Sequence, residues 1–227
     1  MPNELESATK IEDQFTTQFD SKLLSIPHYQ QHPQMLPFVG SHYGEYGPRI
    51  LILGESHYLR KSSTVHLDAE QWYQTHASQL SAHDYSHTNT RKCLTKPGKS
   101  WKSKSYTIYR NIENALLEVG YPKEDNTLRY VAFMNAYQRP ARSRLSIRGT
   151  PEDELRSLAT IQAVIDTIQP EHIIFVSRKA YLNIGKKLKQ TSFAVPHPAS
   201  AWWNRSSKRG TGKQQMLALL RRLHAES

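Results

Sequence analysis

The chain has one cysteine, Cys93, so it cannot close an internal disulfide, and one thiol cannot build a zinc centre by itself. A reducing compartment suits it, and Cys93 reads as an inert thiol in a polar loop with no assigned role. No apolar run approaches the roughly 20 residues of a membrane span, which excludes a spanning helix. The N-terminal MPNELESATKIEDQ has neither the basic start nor the apolar stretch of a secretory signal, and a cytoplasmic location is expected. Neither a Walker-type loop nor GxGxxG follows the first apolar segment, which argues against nucleotide-cofactor chemistry. No cluster has metal-ligand spacing beyond a loose grouping of His76, His83 and His87, so no metal is expected.

What the sequence has in excess is positive charge. Thirty Lys+Arg against twenty Asp+Glu give a formal charge of +10 over 227 residues, which favours a polyanionic partner, the plainer alternative being a merely soluble basic protein. Two basic stretches stand out. QRPARSRLSIR carries Arg139, Arg142, Arg144 and Arg148, and NRSSKRGTGK carries Lys208, Arg209 and Lys213. Charge runs are usually solvated surface, but two runs flanking one crevice fit a clamp on a phosphate backbone.

A chain of this length fits one domain, taken here as residues 1–227 with an N-terminal helical extension over 1–34. Apolar spacing predicts a first helix over residues 12–26, followed by a Pro-punctuated connector. The run ILIL at 50–53 reads as a strand buried on both faces. Asp68 opens a helix, and residues 81–104 form a polar insert, read as a loop without apolar period. A helix over 105–120 stops on Gly120, and RYVAFMNAY is a second strand. Thr150 and Pro151 open the clearest helix, which closes on Pro170. HIIFVS and SFAVPHP are further strands around a short helix, and residues 212–226 form the last helix. Strands separated by helices predict an α/β fold with a mainly parallel, four-stranded sheet covered on both faces. In such sheets ligands sit beyond the carboxyl ends of the strands, and each strand here ends on a polar residue: Glu55, Asn135, Ser177 and His197.

Each of these residues alone has a plainer reading. Glu55 suits a helix cap, Asn135 a turn, and His197 a structural histidine before Pro198. Their coincidence at the strand ends is what points to a site, because an active site draws groups from separate segments. Beside Glu55 stand Ser56, His57, which suits contact with a base or phosphate, and Tyr58, whose ring offers a stacking face.

These segments resemble the uracil-DNA glycosylase superfamily. ILILGESHY is similar to its first motif, closest to branches that begin Gly-Glu. TIYRNIENALLEVG resembles the helix that follows, VAFMNAY the strand ending in the base-reading asparagine, and VPHPASAWWN the His-Pro-Ser motif. The likeness runs over residues 35–225 in the family's order. It implies a three-layer α/β/α sandwich and hydrolysis of a base–deoxyribose bond without metal or organic cofactor, on DNA, by a monomer. On that likeness Glu55 orients water or stabilises a cationic sugar, Asn135 with Ser56, His57 and Tyr58 contacts the base, and His197 stabilises the departing base. Ser200, Trp202 and Trp203 fall in the region that wedges into DNA. Ser56 replaces the catalytic aspartate of the best-known branch, His57 its usual proline, and Ala199 the serine after His-Pro.

The chemistry suits these residue types. Breaking a glycosidic bond builds positive charge on the sugar and negative charge on the base, so a carboxylate and a hydrogen-bond donor are required on opposite sides. Everting the base costs a few kcal/mol, and aromatic stacking on Trp202 and Trp203 returns roughly 1–3 kcal/mol per base. The long polar insert favours, by analogy with glycosylases of hypermodified phage DNA, a bulky modified pyrimidine such as glucosylated hydroxymethylcytosine over plain uracil. Two other readings stay open. One is an SGNH-type esterase with Ser56 as nucleophile, although Ala194 stands where that type has its aspartate. The other is a non-catalytic nucleic-acid-binding module.

Overall fold

The computed structural model describes residues 14–95, 101, 103–143 and 145–226. Among them the protein is mixed α/β. A five-stranded sheet is formed by β1 (Phe38–Val39), β2 (Ile50–Gly54), β4 (Ala132–Asn135), β6 (His172–Phe175) and β7 (Ser192–Ala194), in the order β1-β4-β2-β6-β7. The four strands β4, β2, β6 and β7 pair in parallel, as the sequence predicts, and β1 adds an antiparallel edge. That fifth strand lies in what reads as a connector, because two paired residues are too short to show a period. Beyond the sheet the chains of β2 and β4 continue side by side as β3 (Tyr58–Leu59) and β5 (Ala141–Arg142), a second parallel pair.

Strand β2 is buried along its whole length. Its alternate side chains divide the core: Leu51 and Leu53 belong to one apolar cluster, Ile50 and Ile52 to another. The first cluster takes residues from α1 (Asp20–Leu23), α2 (Pro27–Gln31), α3 (Ala69–Gln74), α7 (Pro151–Ile168) and α8 (Arg178–Asn183). The second takes residues from α5 (Thr90–Leu94), α6 (Thr107–Glu118) and α9 (Gly212–Ala225). Leu23, Ile26 and Tyr29 lie inside the first cluster, so the residues read as an extension pack into the core. The expected helix over 12–26 is a single turn at Asp20–Leu23, and its first two residues lie outside the described ones.

The polar insert is not the loop expected over 81–104. Residues 82–94 form α4 (Ala82–Thr88) and α5, whose N-termini are capped by the side chains of Ser81 and Asn89. Buried Asp84, Thr88, Thr90 and Leu94 anchor them. A polar inner face has no apolar period to detect, which is why the helices escape a sequence pattern; residues 96–100 and 102 lie outside the described ones. Helix α7 starts where predicted. Thr150 Oγ1 accepts from the Asp153 amide, the Thr150 amide donates back to Asp153 Oδ2 at 2.8 Å, and Pro151 fills the first turn. Among the described residues no helix is long and apolar enough to cross a membrane.

Candidate active site

The carboxyl ends of β2 and β6 and the loop after β7 open into a cavity of about 430 Å³. Glu55, Ser177 and His197 all line it, together with Lys179, Ser200, Trp202 and Arg209. Two residues that the sequence places 142 positions apart, Glu55 and His197, therefore share one wall, and the Glu55 charge acts on the His197 ring.

Both oxygens of Glu55 are held. Oε1 accepts from the Ser146 hydroxyl and from the Ile147 amide at 3.3 Å; Oε2 accepts from the Ser177 hydroxyl at 2.8 Å. The Ser146 oxygen in turn accepts from Lys179 Nζ at 3.1 Å, and Lys179 also donates to the Ile147 carbonyl. The order of donors is thus ammonium, hydroxyl, carboxylate, and it aims the Ser146 proton at Glu55. Ser177 caps α8 through Ala180 N at 3.3 Å, so its hydroxyl is fixed from the other side as well.

His197 is positioned by its own loop. The Ala199 amide donates to Nδ1 at 3.1 Å, and this assigns the hydrogen of the neutral ring to Nε2. Burial lowers the imidazole below its ordinary value of 6.5, the Glu55 charge opposing the shift, so at neutral pH the ring is an uncharged donor. Ser200 Oγ donates to the His197 carbonyl at 2.7 Å, and Asn111 Nδ2, from α6, donates to the Pro198 carbonyl at 2.7 Å. Where α9 begins, a Cβ on Gly212 would lie 3.0 Å from both Pro196 Cβ and the Trp202 carbonyl, so the loop and the helix are in close contact.

Asn135 is buried at the end of β4, level with Gly54, but does not line the cavity. A Cβ on Gly54 would stand 2.4 Å from Asn135 Oδ1, so the absent side chain is what gives the amide its place. Tyr58 is 43% exposed, and its phenol is raised first by burial and then by the Glu55 charge, which puts it near the site. His57 points elsewhere. It is buried, its Nε2 lies 3.1 Å from Thr90 Oγ1, and burial pushes it down to about 4. Ser56 is also buried; among the described residues its hydroxyl has no hydrogen-bond partner, and so no histidine in position to activate it, and it does not line the cavity.

The two tryptophans separate. Trp202 is 53% exposed, lines the cavity and carries the Arg205 guanidinium 5.5 Å from its ring centroid. Trp203 is buried in the cluster with α9, because adjacent residues of one short turn face opposite ways. The basic stretches also divide. Arg139, expected on DNA, is buried and bound to Asp153 at 2.5 and 2.8 Å, and to the carbonyls of His66 and Arg148. Lys213 pairs with Glu118 at 2.6 Å. Arg142, Arg148, Lys208 and Arg209 are exposed, and Arg144 lies outside the described residues. Cys93, read as part of a polar loop, lies instead in α5; it is partly buried, and burial pushes its thiol up to about 11, far from a thiolate at neutral pH.

Sequence reasoning missed Ser146, Lys179 and Asn111 as members of the site. Asn111 sits in a helix already singled out, as the polar residue before an apolar stripe; Ser146 and Lys179 carry no comparable signal. Among the described residues no group of three or more His, Cys, Asp or Glu side chains is placed to hold a metal, and His76, His83 and His87 do not converge as one. No protein-family model matches the sequence, and no curated protein matches it significantly.

Proposed function

We propose that the protein is a DNA glycosylase that hydrolyses the N-glycosidic bond of an everted nucleobase and leaves an abasic site, acting as a monomer on a three-layer α/β/α scaffold of the uracil-DNA glycosylase type. One observation carries the reading: a fixed carboxylate, Glu55, and a neutral imidazole donor, His197, line the same cavity. As the C1′–N bond breaks, its electron pair passes to the base, and the Nε2 hydrogen of His197 stabilises the developing anion. The Glu55 carboxylate faces the positive charge left on the sugar and orients the water whose oxygen bonds C1′. The water's proton goes to the departing base, directly or through solvent. A neutral donor suits this role, because the Nε2 hydrogen is present at neutral pH without prior protonation of the ring.

A volume of about 430 Å³ falls in the usual range for small-ligand sites, roughly 300–1,000 Å³. That room admits uracil and also a larger modified pyrimidine such as glucosylated hydroxymethylcytosine. Trp202 at the wall provides the stacking face, and Lys208 and Arg209 lie on the segment that borders it. The test is incubation with DNAs carrying uracil or glucosylated hydroxymethylcytosine, with mass analysis of released small molecules and a check for alkali-labile sites. Release of free base by the wild type and by Ser56→Ala, but not by His197→Ala, is expected. Ester hydrolysis by the wild type that Ser56→Ala abolishes, with no base released, would favour the esterase instead, and DNA binding without base release or ester hydrolysis would leave a binding module.

A further inference from the structure

A second cavity, of about 610 Å³, lies on the other side of the segment that carries Ser146 and Ile147. It is bordered by His66, Arg142, Ser146, Arg148 and Lys179. Lys179 lines both cavities, and Ser146 lines the second while donating to Glu55, so one short segment is the wall between them.

The lining is cationic. Arg142 and Arg148 are exposed and have no carboxylate partner among the described residues. The acid on the same wall, Asp68, is engaged in accepting the Gln71 amide at 2.8 Å as the cap of α3. Arg139, also on this wall, is neutralised by Asp153 and holds the Arg148 carbonyl at 3.0 Å, which fixes the backbone from which Arg148 projects. A second, independent observation is His66. It is 1% exposed, borders this cavity, and neither ring nitrogen has a hydrogen-bond partner among the described residues. Leaving a buried polar group unpaired is unfavourable, and an acceptor bound in the cavity that His66 borders would offer it a partner. Two forked guanidinium donors with an ammonium between them and the catalytic carboxylate match a phosphate group better than a carboxylate or an uncharged ligand.

We propose that this cavity is a phosphate subsite. Resting on the glycosylase reading for its place in the substrate, it holds the phosphodiester next to the nucleotide whose base enters the Glu55 cavity. Because Lys179 lines both cavities and Ser146 lines this one while donating to Glu55, a phosphate seated here stiffens the segment that positions Glu55, and strand binding is thereby coupled to the carboxylate.

Two measurements on the full-length protein test it. The first is calorimetric titration with inorganic pyrophosphate at low salt. The Arg142→Ala/Arg148→Ala variant should bind at least tenfold more weakly than wild type. Lys186→Ala/Lys189→Ala, a charge-matched control in the segment before β7 that lines neither cavity, should bind within twofold. Equal binding by wild type and the arginine variant, with matching thermal melts, overturns the subsite. The second uses DNA in which single linkages around the target nucleotide are neutral methylphosphonates. One neutral linkage beside the target should weaken binding to wild type about tenfold and have little effect on the arginine variant. An equal penalty in both proteins overturns the placement. If no base is released from any DNA, the glycosylase reading fails while the pyrophosphate titration still decides whether the cavity takes phosphate.

Discussion

Replacing Glu55 by glutamine removes the negative charge and little else. The side chains are the same size, and of the three donors on the carboxylate, the Ile147 amide cannot reverse, whereas the Ser146 and Ser177 hydroxyls can. The glutamine oxygen should therefore take the place of Oε1, facing Ile147 and Ser146, and its NH₂ should face Ser177. That hydroxyl already accepts from Ala180 N and has a second lone pair to offer, but its own hydrogen loses its acceptor. The stability cost is about one hydrogen bond, on the order of 1 kcal/mol, or about 2–4 °C in melting temperature for a chain this long. The catalytic cost is larger. A positioned charged group contributes typically about 10²–10⁴ in rate, about 3–5 kcal/mol, so release of base should fall by that factor with DNA affinity kept. Single-turnover base release, DNA binding by anisotropy and a thermal melt, on one preparation, separate the terms. Glu55→Gln turning over within threefold of wild type would refute the role given to the carboxylate, since its position would be kept and only its charge lost.

Arg139→Ala should act on the fold, because it strands Asp153, which is fully buried, without its guanidinium; a loss of about 3–5 kcal/mol is expected in denaturant unfolding. An unchanged midpoint with weaker DNA binding would restore Arg139 to the phosphate backbone. Gly54→Ala places a methyl group 2.4 Å from Asn135 Oδ1 and 2.9 Å from Phe133 Cζ, so overpacking should cost about 1–3 kcal/mol and displace the amide; a variant with wild-type stability and turnover would show that Asn135 has room to spare. His57 and His32 are buried and held near 4, against 6.5 when unfolded. The unfolded chain binds more protons between those values, so stability is present above pH 6.5 and is lost as pH falls toward 4, by about 2 kcal/mol per histidine at pH 5. Asp84 and Asp153 are lowered from 3.8 and so act only below that window. Unfolding free energies that stay level from pH 7 to pH 5 would contradict the burial of both rings.

Much of the scaffold is written in local pattern. The apolar runs of β2 and β6, the Thr150–Pro151 start of α7 and the glycine that follows α6 each announce an element through residues a few positions apart, which is the range over which backbone sterics, capping and period act. The alternation of strands and helices then leads to the parallel core of the sheet, and with it the place where the strand-end residues Glu55, Ser177 and His197 gather. What the pattern could not decide was which side chains turn inward. Trp202 and Trp203 are neighbours in sequence, yet one lines the cavity and the other fills the core. Arg139 looks like its exposed neighbour Arg142 until Asp153 is brought within 2.5 Å of it. Helices α4 and α5 owe their place to buried polar contacts rather than to an apolar stripe. The Ser146–Lys179 support of Glu55 joins segments 91 and 124 residues away in the chain. Hydrogen bonds and ion pairs over such separations depend on where the packed core delivers each backbone, so the sequence alone determined the scaffold and the strand-end chemistry, and only the tertiary structure decided which charges are free to meet a ligand.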